Sequence, residues 1–254
     1  MDRQGLTRRL FVASAGAGAL VPALAAPAVA LGPRDFLEPH MHLQGTGDES
    51  PRVALTFDAC GGETDHRILD LLLAERIPAT IFVAGPWLQR NRPIFDRLVT
   101  RPDLFEIGNH GLHHHAAIDE AVKLWGVPAA GSPHGVALEV EGGAALIVAA
   151  GGLRPRWFRG ATALYTSASI QEIEGLGYRV AGFSINGDDG ASLPAARVAA
   201  NYRRAQDGAV LISHINHPEK HAGAGVAEGI RALKARGMGF VRLSETGVKV
   251  TVAA

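Results

Sequence analysis

Residues 52–83 read RVALTFDACGGETDHRILDLLLAERIPATIFV. The opening run, 52–58, is rich in β-formers and closes on Asp58. Residues 64–76 then set Ile68, Leu71 and Leu72 at helical spacing, with Thr64 as the expected N-cap. Residues 79–83 form a second short β run. Strand, helix and strand in such close succession call for parallel pairing through a right-handed crossover.

The same alternation continues outward. A helix is expected over 87–100, a strand over 104–108, an Ala/Val-rich helix over 135–151 and a short strand over 156–159. A helix over 167–174 follows, capped at Thr166 or Ser167, then a strand over 178–185. The pattern ends with a helix over 194–204, a strand over 209–213, a helix over 222–236 and a strand over 239–243. Seven strands alternating with helices define an α/β fold of parallel strands; an open doubly wound sheet and a closed barrel give the same string. Neither G-x-G-x-x-G nor G-x-x-x-x-G-K-[ST] follows any strand, which weakens nucleotide-fold readings.

Composition narrows the class. Lys+Arg and Asp+Glu are equal at 25 each in 254 residues, so there is no basic excess to hold phosphates and no nucleic-acid partner is expected. One cysteine, Cys60, excludes an internal disulfide framework and a cysteine zinc finger. A lone cysteine is more often a buried small hydrophobe than a ligand. Residues 1–30 carry Arg8-Arg9 ahead of a weakly apolar run ending in Ala28-Val29-Ala30. They are expected to be an export signal of twin-arginine type, with the export machinery as partner and a periplasmic or secreted product. Residues 31–50, polar and turn-rich, are expected to lead into a domain over 51–254. No membrane span is expected after signal removal.

Ionisable residues gather where strands end. Asp58 closes the first strand, and His110, His113, His114 and His115 follow the third. Arg159 closes the fourth, Asp188 and Asp189 follow the fifth, and His214 closes the sixth. In folds of parallel strands, ligands bind beyond the carboxyl ends. His110 and His114, at i and i+4, leave the same face of a helical turn and chelate a divalent ion at that spacing. Imidazole with oxygen ligands suits zinc, cobalt, nickel or iron; zinc is the ion expected, with cobalt or nickel as alternatives. His40 and His42 form a second His-x-His pair in the leader, a rival ligand set for an unrelated metallohydrolase.

Together these residues resemble the polysaccharide deacetylase family, the chitin-deacetylase and NodB-homology carbohydrate esterases. The motif T-F-D-D-G corresponds to Thr56-Phe57-Asp58-Ala59-Cys60, and H-[ST]-x-x-H to His110-Gly111-Leu112-His113-His114. R-P-P-Y-G is reduced to Arg159-Gly160-Ala161-Thr162-Ala163. The fourth motif lies in FSINGDDG, where register favours Asp189 over Asp188, and the fifth is Val210-Leu211-Ile212-Ser213-His214. The resemblance covers residues 53–243.

It implies a distorted (β/α)7 barrel and metal-dependent removal of N- or O-acetyl groups from a carbohydrate substrate. Asp58 would be the general base, His214 the general acid, and His110 and His114 the metal ligands. Arg159 would orient Asp58, and Asp189 or Asp188 would orient His214. The resemblance puts the family's third ligand, a carboxylate, at Ala59, so water is expected in its place, with Asp65 or Cys60 as alternative donors. On that expectation Ala59→Asp tightens metal binding and Cys60→Ser leaves it unchanged. The competing function is an inactive barrel that still binds glycan.

Overall fold

In the computed structural model, residues 36–44 and 50–252 are described; the export signal expected over residues 1–30 lies outside them. Twelve strands and seven α-helices are present among these residues. The strands are β1 (Pro39–Leu43), β2 (Arg52–Ala59), β3 (Ala79–Val83), β4 (Phe105–Asn109), β5 (Lys123–Leu124), β6 (Val127–Pro128), β7 (Trp157–Phe158), β8 (Arg179–Val180), β9 (Ile185–Asn186), β10 (Val210–His214), β11 (Gly239–Val241) and β12 (Val248–Val252). The helices are α1 (His66–Ala74), α2 (Gly85–Arg90), α3 (Arg92–Val99), α4 (Pro133–Ala149), α5 (Ser167–Gly175), α6 (Ala195–Arg203) and α7 (Ala222–Ala235).

The main sheet runs β8-β7-β4-β3-β2-β10-β9, with β11 also on β2, and every pairing in it is parallel. Its two edge strands, β8 and β9, belong to one stretch of chain. The single strand expected over 178–185 pairs first with β7, breaks, and then pairs with β10. This stretch curls the sheet into a distorted (β/α)7 barrel, as the resemblance implied. The break spans residues 181–184, where the carbonyls of Ala181 and Gly182 turn to the Arg159 guanidinium instead of to a neighbouring strand.

Alternation along the strands divides the molecule into two layers. On β2, Val53, Leu55, Phe57 and Ala59 join the outer core beneath the helices. Ala54 joins an inner cluster with Phe82, Val210 and Ile212. Even-numbered residues of β2, β3 and β10 therefore face the barrel interior.

Three local expectations change. Asp65, not Thr64, caps α1, accepting from the Arg67 amide. The helix expected over 87–100 is two helices, because Pro93 has no N–H to continue the ladder across Asn91 and sits instead in the first turn of α3, where none is needed. The Asn91 side chain at the break bonds Gly62 O, Trp87 O and the Thr64 hydroxyl. The leader expected over 31–50 contributes β1, which pairs antiparallel with β12 and buries Met41 and Leu43 in the inner cluster. The domain therefore begins before residue 51. Among the described residues, no helix is long and apolar enough to cross a membrane.

Candidate active site

The interior face ends in a cavity of about 760 Å³ lined by Asp58, Cys60, His110, His114 and His214, among others. Asp58 and His214 are register partners on β2 and β10. Both side chains thus emerge on one face at one level, on strands about 4.8 Å apart.

Asp58 is clamped from below. Arg159 Nη1 donates to Asp58 Oδ1 at 2.9 Å, and Nη2 donates to Thr56 Oγ1 at 3.0 Å and Gly182 O at 2.9 Å. The guanidinium lies 4.3 Å from the Phe82 ring centroid and is fully buried. A buried charge is tolerable only when paired and hydrogen-bonded in this way. Gly108 makes room for that ring, since a Cβ there would stand 2.5 Å from Phe82 Cδ1. Burial works against the charged form of Asp58, but the pull of His110, Arg159 and His214 outweighs it and holds the carboxyl below its ordinary value.

The histidine loop is not the helical turn that the i, i+4 spacing suggested. Gly111 and His114 both have positive φ, at 93° and 64°, so a left-handed loop brings the His110 and His114 rings to 4.9 Å. The loop is tied to α4 by Glu139, a buried carboxylate that spacing arguments missed. It accepts from the amides of His113 (3.0 Å) and His115 (3.2 Å) and from His113 Nδ1 (2.8 Å). His113 and His115 therefore turn toward Glu139, and His114 remains beside His110.

His110 Nδ1 donates to Arg159 O at 2.6 Å, which leaves the Nε2 lone pair facing the cavity. Cys60 Sγ stands 3.5 Å from Nε2, and Cys60, His110 and His114 each bring a potential ligand atom within 4.8 Å of the others. Ala59 cannot take part, because alternation sends it into the outer apolar core. Asp65 is also excluded: it holds the start of α1 and a 2.5 Å ion pair with Arg67.

The partner of His214 is Asp188, correcting the preference for Asp189. Asp188 Oδ2 accepts from the His214 amide at 2.7 Å and Oδ1 from Nδ1 at 3.0 Å. Alternation beyond β9 turns 188 inward. Asp189 is exposed at φ 51°, accepting from the Ser192 hydroxyl. Burial alone would lower the pKa of His214, but the Asp188 carboxylate and Cys60 raise it well above its ordinary value.

Other cavity residues carried no sequence signal. Thr162 Oγ1 and Asn216 Oδ1 are buried on the wall without a hydrogen-bond partner among the described residues. Trp125 also lines the cavity, 70% exposed at the tip of the β5–β6 hairpin. Its φ of 47° and the 90° of Gly126 give the tight two-residue turn, and only Trp-Gly between short apolar runs hinted at it. His40 and His42 lie on the exposed side of β1 and join no three-residue donor cluster among the described residues.

The polysaccharide deacetylase family model matches residues 46–181, more than half of the chain, and the chain belongs to that family. No curated protein sequence matches it. Among solved structures, a T48 deacetylase with substrate is 22% identical with a TM-score of 0.63, over 79% of this chain and 94% of that one. Peptidoglycan deacetylase PdaC from Bacillus subtilis is 22% identical with a TM-score of 0.64, over 78% and 90%. A mutant of BA3943, a CE4 family pseudoenzyme of Bacillus anthracis, with restored enzymatic activity is 22% identical, TM-score 0.63, over 78% and 68%. At that identity the likeness is one of fold, and it spans active and inactive relatives. Deacetylases of this family use a divalent metal, and the donors facing the cavity, with His110 Nε2 free to coordinate, fit such an ion.

Proposed function

We propose that the protein is a metal-dependent deacetylase that removes acetyl groups from an amino sugar or polysaccharide. The observation that carries this is the register pairing of Asp58 and His214 beside the histidine donors. One group is held anionic and its neighbour cationic, and base and acid face one cavity.

Hydrolysis of an acetyl amide needs both. A divalent ion held at His110 and His114, with zinc the favoured metal, would supply Lewis acidity toward the acyl oxygen and a water. Asp58, kept deprotonated by Arg159, takes the proton from the attacking water. His214, kept protonated by Asp188, gives a proton to the leaving nitrogen, which departs poorly without one. Arg159 and Asp188 do not line the cavity; they set the charge of the groups that do.

A carbohydrate suits the remaining walls. Thr162 and Asn216 place polar side chains in the cavity wall, the kind of lining that sugar hydroxyls or an acetamido group can pair. Trp125 presents a flat apolar face at the mouth, in a backbone conformation costly for a bulky side chain. Twin-arginine export to the periplasm accompanies this reading, supported by Arg8-Arg9. Changing both to Lys should leave the precursor in the cytoplasm, and normal export of that variant would remove the route.

The test of activity is acetate release from N-acetylglucosamine oligomers and O-acetylated xylo-oligosaccharides, with and without chelator. Release that is abolished by chelator and restored by zinc is expected. Glycan binding with no acetate release under any metal would place the chain with the inactive barrels.

A further inference from the structure

We infer that Cys60 is the third protein ligand of the metal centre, which makes it a Cys-His-His site. The inference rests on the metal-dependent reading above and adds the identity of a ligand.

Position comes first. Asp58 and Cys60 are two residues apart at the end of β2, so both face the interior while Ala59 between them faces the outer core. A third protein donor must reach the cavity, and Cys60 is the next residue after Asp58 that does.

Distance comes second. Zn–S is about 2.3 Å and Zn–N about 2.0–2.1 Å, so the edge between two such donors in a tetrahedral site is about 3.6 Å. Cys60 Sγ and His110 Nε2 stand 3.5 Å apart. His114 completes a three-donor set within 4.8 Å.

The surroundings suit a thiolate. Cys60 Sγ is flanked by two imidazoles, with His110 Nε2 at 3.5 Å and a His114 ring nitrogen within 4.8 Å. No carboxylate belongs to this donor group: Asp58 Oδ1 accepts from Arg159, and Oδ2 stands 3.8 Å from His110 Nε2, farther than the sulfur. A soft sulfur donor beside two imidazoles selects zinc or cobalt over magnesium, calcium or manganese.

The experiment is cobalt titration of the metal-stripped full-length protein, read by absorption and bound-metal analysis. Wild type should take up one cobalt per chain and develop the near-ultraviolet thiolate-to-cobalt charge-transfer band. Cys60→Asp should still bind cobalt but lack the band. Cys60→Ser should lack the band and lose affinity by at least the roughly 10–100-fold that loss of an outer partner costs. Zinc should also slow alkylation of wild-type Cys60 by iodoacetamide, a readout that needs no variant to fold. Stoichiometric cobalt without the band, and alkylation unaffected by zinc, would overturn the assignment while leaving a metal at the histidines. No metal uptake by wild type, as expected for His110→Ala, would overturn both.

Discussion

Asp58–Arg159 and Asp188–His214 are both buried carboxylate–cation pairs, and they are built in opposite senses. In the first pair the carboxylate reaches the cavity and the cation is hidden; in the second the imidazole reaches it and the carboxylate is hidden. The hidden member has the fuller set of bonds in each: Arg159 spreads over Asp58, Thr56 and two carbonyls of the broken strand, and Asp188 takes the amide and Nδ1 N–H groups of His214. One kind of interaction thus yields a base and an acid, depending on which partner faces solvent. The pairs also respond oppositely to pH. Asp58, lowered from 3.8, contributes stability above that value that is lost as pH falls through its folded pKa. His214, raised well above 6.5, contributes stability below 6.5 that is lost as pH rises through its folded pKa.

The strongest way to break the first pair is Arg159→Met. It leaves the Asp58 carboxylate buried without its cation and opens the carbonyls at the seam. Urea unfolding should show a loss of about 3–5 kcal/mol, and acetate release should vanish. A loss below about 1 kcal/mol would mean that the pair is not what holds Asp58.

Ala59→Asp sharpens the same point by placing a carboxylate with no cation one residue further along. Because Ala59 faces the outer core, the new group should destabilise the fold by about 3 kcal/mol or more, with metal affinity no tighter. A tighter site in a stable variant would return the third ligand to residue 59.

Asp188→Asn tests the second pair. His214 loses the charge that raises its pKa, so it should be deprotonated at lower pH. The alkaline limb of the rate profile should then move toward 6.5, and the rate at neutral pH should fall by about 10²–10⁴-fold. Asp189→Asn should leave the profile where it was, and an equal shift in both variants would undo the assignment to Asp188.

The smallest effect lies at the rim. Trp125→Ala removes a stacking face worth about 0.5–1.5 kcal/mol. KM for long oligosaccharides should rise by roughly 2–10-fold, with kcat and unfolding midpoint nearly unchanged. No change in KM for any chain length would take Trp125 out of the substrate path.

Read by itself, the sequence determined the alternation of strands and helices, because β-branched runs and helical spacing are local properties. For the same reason Asp58, Arg159 and His214 were legible: each stands next to a run whose strand character is written in adjacent residues. Choices that hinge on a single step of alternation were decided only by the tertiary structure. Cys60 rather than Ala59 lines the cavity, and Asp188 rather than Asp189 reaches His214 from beneath it, because of where each strand ends and how the chain leaves it. Contacts between distant segments were likewise invisible. Glu139 fastens the histidine loop from a helix, β1 and β12 meet from opposite ends of the described chain, and the break at 181–184 both closes the barrel and receives Arg159. These depend on long-range packing, which local pattern does not encode.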